Sequence, residues 1–283
     1  MSNNPNLETF VVSGNGAPTV HLPSSVWKPP YLKHLELGNS YMVDPPCADK
    51  TNLQTLSWVV RPLHCRKQVY SKFPDIKNLK ILLKDDIESS HIGGRCSNPI
   101  ILDHFDYLKA VEKLSISVSI GCNAALPEQC MYPSGLEKLK LSGTNISERD
   151  LNVIAMLPQL KVLKLENAFH GTVWEVAEGG FRQLTFLLLE AKELKQWVAN
   201  FREHFKELRN LVLRSCNCLE QMPKGFTGYK LESIELEGCH SSLVASAMQL
   251  QQKRRSKDLE SIQKLVIDGT KTWAQELSVK HSG

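Results

Sequence analysis

Leu136-Glu137-Lys138-Leu139-Lys140-Leu141 returns as Leu160-Lys161-Val162-Leu163-Lys164-Leu165 and as Leu184-Thr185-Phe186-Leu187-Leu188-Leu189. It returns again as Leu208-Arg209-Asn210-Leu211-Val212-Leu213 and Leu231-Glu232-Ser233-Ile234-Glu235-Leu236. The starts at 136, 160, 184, 208 and 231 are 24, 24, 24 and 23 residues apart. A frame Leu-x-x-Leu-x-Leu at a fixed period marks one structural unit used repeatedly. Its last two aliphatic residues lie two apart, the spacing that puts side chains on the same face of a strand. Each copy therefore predicts a short strand whose aliphatic face turns into a shared core.

Working outward, the frame is legible at Leu7-Phe10-Val12, Leu32-Leu35-Leu37, Leu53-Leu56-Trp58, Leu79-Leu82, Val111-Leu114-Ile116 and Ile262-Leu265-Ile267. About 11 copies over residues 7–267 define an α/β leucine-rich-repeat solenoid. Such a solenoid is curved, with a parallel β-sheet on the concave side and irregular or short-helical segments on the convex side. We expect a weakly patterned N-terminal cap over 1–20, the repeat domain over 21–270 and a tail over 271–283. The steps from Leu79 to Val111 and from Leu231 to Ile262 are 32 and 31 residues. Insertions near 84–106 and 240–258 are expected as surface excursions, carrying the solvated charges Asp85, Asp86 and Glu88 and the basic run Lys253–Lys257. Three residues after the last aliphatic position stand Ser40, Thr144, Cys216, Cys239 and Thr270, small side chains suited to bond the neighbouring backbone. Ser147 is the expected N-cap of a short helix over 149–157. Trp174, Phe181 and Trp197 are expected to fill the convex layer.

The 34 basic and 30 acidic residues leave a net charge of +4, too mild a bias for a dedicated nucleic-acid binder. Eight cysteines include no Cys-x-x-Cys pair, and the nine histidines are scattered, so no metal site is expected. A phosphate loop and a Gly-x-Ser-x-Gly elbow are both missing, and Gly93-Gly94 and Gly179-Gly180 read as turn glycines. No enzyme is expected. No apolar run approaches the length of a membrane span, and the start lacks a secretory pattern, so the expectation is a cytoplasmic protein.

The outward residues of each strand offer a partner surface. Lys113, Ser115, Lys138 and Lys140 come first, then Val162, Lys164, Phe186, Leu188, Asn210, Val212 and Arg214, then Ser233, Glu235 and Glu237. An apolar centre of Val162, Phe186, Leu188 and Val212, rimmed by charge, is the expected anatomy of a protein interface.

Leu141–Leu151, Leu157–Leu165, Trp174–Phe181, Leu211–Cys216 and Met222–Phe226 in succession resemble the C-terminal repeats of the late blight resistance protein homologues of the nightshade family. His21–Trp27 ahead of Leu32–Leu37 is similar to that family as well. Those are coiled-coil nucleotide-binding disease-resistance proteins of plants. The resemblance implies a protein-interaction scaffold: the effector-sensing or autoinhibitory repeat region of an intracellular immune receptor, in the cytoplasm, in the nucleus or peripherally on a membrane. It implies as partners a pathogen effector, a guarded host protein or the receptor's own nucleotide-binding domain. ATP belongs to that domain, whose motifs this sequence lacks, so no cofactor is expected. The competing expectation is a substrate-recognition subunit of a ubiquitin ligase, which needs an adaptor-binding helical box that residues 1–30 do not resemble.

Overall fold

The computed structural model describes residues 4–14, 19–60, 67–84, 100–102, 105–119, 124–126, 132–199, 203–223, 230–255, 262 and 264–271. Within them every copy of the frame carries a strand. The copy read at Leu79-Leu82 is instead Ile76-Leu79-Ile81, since Leu79 pairs with Leu56 and Leu114 and Leu82 is off the buried face. Thr9–Val12, His34–Leu37, Thr55–Val60, Asn78–Leu83, Lys113–Val118 and Lys138–Ser142 lead into Val162–Glu166, Phe186–Glu190, Asn210–Arg214, Ser233–Glu237 and Lys264–Ile267. They pair parallel, each with the next, in one 14-stranded sheet that forms the concave face of the solenoid. The register never slips. Leu35, Leu56, Leu79, Leu114, Leu139, Leu163, Leu187, Leu211, Ile234 and Leu265 follow one another from coil to coil. All ten are buried. Each side chain packs on the equivalent one below and above, and full burial stabilises by roughly 1.5–3 kcal/mol per large aliphatic residue.

The residue ahead of each strand ties the coils together. The carbonyl of Glu8 accepts from the N–H groups of Lys33 and His34, that of Lys161 from Thr185 and Phe186, and that of Thr185 from Arg209 and Asn210. Past four of the later strands the chain turns sharply, at Gly143 (φ 65°), Asn167 (φ 46°), Ser215 (φ 49°) and Gly238 (φ 56°). Left-handed backbone favours Gly and Asn. At Gly143 space is also short, since a Cβ there would stand 2.8 Å from the Val118 carbonyl oxygen.

Side-chain rungs follow these turns. Ser119 Oγ donates to the Leu83 carbonyl at 2.9 Å, Cys216 Sγ to Leu189 at 3.8 Å and Cys239 Sγ to Leu213 at 3.4 Å. The two cysteines thus fill the structural place read from the sequence. Thr144 is buried at the same place, but its hydroxyl finds no partner among the described residues. The Cys216 and Cys239 thiols also influence each other's acidity. The neighbouring Cys216 side chain brings the Cys239 thiol down to about 7, while Cys239 and burial push the Cys216 thiol up.

The convex side combines turns, helices and short strands. Glu148–Ala155 is helical, with Ser147 as N-cap and a reciprocal Ser147–Asp150 capping box. Beside it Val173–Glu175 and Gln196–Val198 form a separate parallel pair. That pair brings Trp174 and Trp197 face to face at 5.0 Å, with Phe181 and Phe205 stacked at 5.1 Å and set edge-on to them. A second aromatic group, Trp27, Trp58 and Phe73, fills the earlier coils.

The interval 240–258 differs from expectation. In place of a surface excursion it holds the helix Ser241–Arg255, whose Leu243 and Ala247 are buried in the core. Leu243 and Ala247 lie four apart, on one helical face, and the Ser246 hydroxyl accepts the Met222 N–H of the preceding coil at 3.1 Å. Of the basic run, Lys253–Arg255 end this helix, while Ser256 and Lys257 lie outside the described residues. So do Asp85, Asp86, Glu88, Gly93, Gly94 and nearly all of the 271–283 tail.

Two measurements check this architecture. Leu187→Ala, at the centre of the stack, should lower unfolding free energy by about 2–5 kcal/mol in denaturant titration; a loss below about 1 kcal/mol would contradict a continuous core. Alkylation of Cys239, followed by mass spectrometry, should rise with pH about a midpoint near 7. Cys216→Ala should move that midpoint upward by removing the neighbouring thiol; an unmoved midpoint rules out the coupling.

Candidate functional site

The concave sheet presents two long rows of outward side chains. One row runs His34, Thr55, Asn78, Lys113, Lys138, Val162, Phe186, Asn210, Ser233 and Lys264. The other runs Glu36, Ser57, Lys80, Ser115, Lys140, Lys164, Leu188, Val212, Glu235 and Val266. A third, shorter row ends the strands with Ser142, Glu166, Glu190, Arg214 and Glu237. Parallel pairing sets neighbours within a row about 4.8 Å apart. The residues named from the sequence therefore do lie on one face and in one order.

The apolar centre is smaller than expected. Phe186 and Val162 are half-buried, but Leu188 is 4% exposed and Val212 8%. Longer side chains surround both in register, Lys164 and Phe186 on one flank and Arg214 and Glu235 on the other. On a concave face the tips of such chains converge over shorter neighbours. Leu188 and Val212 are thus packing residues, and truncating them costs stability as well as contact area. Lys164 Nζ stands 5.4 Å from the centroid of the Phe186 ring, a cation–π approach that partly covers it.

Charge is divided along the face. Towards the C-terminal coils Arg214 Nε meets Glu237 Oε2 at 2.6 Å. Burial, and then the neighbouring Glu237 carboxylate, raise the Glu235 carboxyl above its ordinary value, with Lys264 and Arg214 opposing. Lys140 Nζ meets Glu166 Oε2 at 2.6 Å in the middle of the sheet. Towards the N-terminal coils lies a depression of about 510 Å³, with Ser57 and Ser115 at the short positions of its row and Lys80, Lys113, Lys138 and Lys164 around them. Sequence reasoning centred the site on Phe186 and missed Ser57 and Lys80. The available signal was the alternation of short and long residues along the register row, which leaves depth only beside a serine.

Among the described residues no group of three or more His, Cys, Asp or Glu is placed to hold a metal ion. No helix there is long and apolar enough to cross a membrane. The surface offers hydroxyls, amides, ammonium groups and a partly open aromatic ring, a set suited to recognition.

No protein-family model matches the chain. Two late blight resistance protein homologs of Solanum demissum are each 31% identical to it over 268 residues, covering 89% of this chain and 19% of theirs. A further late blight resistance protein homolog from the same plant is 29% identical over 288 residues, covering 96% of this chain and 24% of its own. The chain spans about a fifth of the length of these relatives. The aligned stretch runs through nearly all the coils described above, which makes the chain a leucine-rich-repeat homologue of the late blight resistance proteins of Solanum demissum.

Proposed function

We propose that the chain is the effector-sensing and autoinhibitory repeat region of an intracellular plant immune receptor, acting by binding protein in the defence response. The observation that carries this reading is the open concave sheet, whose outward rows hold one register over ten successive coils. A rigid ribbon of side chains at fixed spacing is a surface for recognition, as in other solenoids. The names of the relatives supply the biological setting, disease resistance in plants.

Phe186, Val162 and Asn210 form the centre of the proposed contact, with Lys164, Arg214, Glu235 and Glu237 around it and Lys138 and Lys140 towards the N-terminal coils. Leu188 and Val212 act by holding this centre in shape. The partners proposed are a pathogen effector, a guarded host protein or the nucleotide-binding segment of the same receptor. The mixed charges along the face suit protein better than nucleic acid, whose phosphates select a continuous basic stripe. The reading assigns the chain no cofactor and no catalysis, and places it in the cytoplasm.

Loss of the gene in its source plant should enlarge lesions after pathogen challenge. A wild-type transgene should restore resistance, whereas Phe186→Asp should restore it weakly while accumulating to a similar level. Lesions unchanged by loss of the gene would overturn the receptor reading. Full restoration by Phe186→Asp would move the contact away from this centre.

A further inference from the structure

A depression of the concave face lies among the early coils, and its lining holds five lysines against one carboxylate, Glu36. Lys80, Lys113 and Lys138 are exposed, and no carboxylate among the described residues forms an ion pair with any of them. Glu137, the carboxylate that feels Lys138 and Lys113, is held by Lys161 at 2.5 Å. The contrast with their surroundings is sharp. Lys140 is held by Glu166 and Arg214 by Glu237, both at 2.6 Å, and Lys33 by Glu8 at 2.9 Å. Unpaired ammonium groups gathered around one hollow raise the local positive potential and favour an anionic occupant.

The layout limits what that occupant is. Lys113 and Lys138 stand in one row, and Lys80, Lys140 and Lys164 in the next. The rows are two residues apart along the strands, about 7 Å, and Lys80 lies three strand steps from Lys164, about 14 Å. Successive side chains of an extended peptide point to opposite sides. Four or five extended residues laid along the boundary between the rows therefore direct side chains towards both lines of lysine. Ser57 and Ser115, on the short positions, leave room for the peptide backbone. The Ser57 hydroxyl, which donates to the Leu37 carbonyl at 3.3 Å, keeps its oxygen as an acceptor. Along the rows Glu36 bounds the basic stretch at one end, and Phe186 and Leu188 bound it at the other.

We propose that this depression docks an extended acidic segment, rich in Asp and Glu, of a partner protein. The inference rests on the protein-binding reading above and names the chemistry of the partner. Lys80, Lys113 and Lys138 supply charge, the two serines supply depth, and Phe186 with Val162 extends the contact towards the C-terminal coils.

Fluorescence anisotropy with a labelled octapeptide of glutamate and aspartate tests it on the purified chain. Binding should weaken steeply as salt is raised. The triple variant K80S/K113S/K138S should bind about tenfold or more weakly, each lost charge contributing modestly. The variant K192S/K195S/K206S removes the same charge from exposed lysines outside the concave sheet and should bind within about twofold of wild type. Equal losses in the two variants would reduce the effect to net charge and overturn the proposal. So would tighter binding of tripolyphosphate than of the peptide at the same lysines, which would assign the hollow to a compact polyanion. Unchanged melting temperatures of both variants confirm that the fold is intact. A chain that ignores the peptide yet still restores resistance in the plant sinks the acidic-segment inference alone. A chain that binds the peptide but has no effect on lesions sinks the receptor reading alone.

Discussion

Inward aliphatic side chains stacked in strict register are the constraint from which the other features follow. A single coil of some 24 residues has one face of leucines and nothing of its own to bury it against. The next coil supplies the cover, and only if it arrives in the same register, because a shift by one residue would turn every leucine outward. The backbone enforces that choice: one carbonyl ahead of each strand receives two N–H groups from the following coil. Once the interior is fixed in this way, the outward rows are fixed as well. The spacing of lysines, serines and Phe186 on the concave face is thus a by-product of packing that a binding surface can exploit.

The concave side is uniform while the convex side varies. Strands must keep one spacing, but the returning segments only have to fill the space behind them. They do so with a capped helix after Ser147, with the paired strands around Trp174 and Trp197, and with the long helix Ser241–Arg255. Sulfur serves as readily as oxygen in the rungs, since Cys216 and Cys239 reach the same kind of carbonyl as Ser119 does. The bond is weaker, and the thiol is apolar enough to sit in the core beside leucine.

Reading the sequence located the strands because their signal is local and periodic. Leu136 to Leu236 repeats a frame that few other structures satisfy, and the N-cap at Ser147 follows from a short-range rule. The burial of Leu188 and Val212 was hidden because alternation along a strand says which face a residue occupies. It does not say how tall its neighbours are. That height is set by Lys164, Phe186, Arg214 and Glu235, which come from other coils and meet these residues only after folding. The depression around Ser57 and Ser115 was hidden for the same reason, being a gap in a row assembled from residues dozens of positions apart. In the 240–258 interval the basic end dominates the composition, whereas the helix is anchored by Leu243 and Ala247, only two buried residues spaced four apart.

The aromatic wedges behind the sheet give the molecule two built-in optical reporters. Trp27 and Trp58 meet edge-on at 82° among the early coils, whereas Trp174 and Trp197 lie nearly parallel, 5° apart, behind the later ones. The two pairs place their indoles in different surroundings, ring on ring at 5.0 Å in one and edge to face at 6.4 Å in the other. The near-ultraviolet dichroism of the later half therefore carries its own signature. Because a solenoid is held together by neighbour contacts, its halves can loosen separately, and light absorbed by these indoles distinguishes which end has opened.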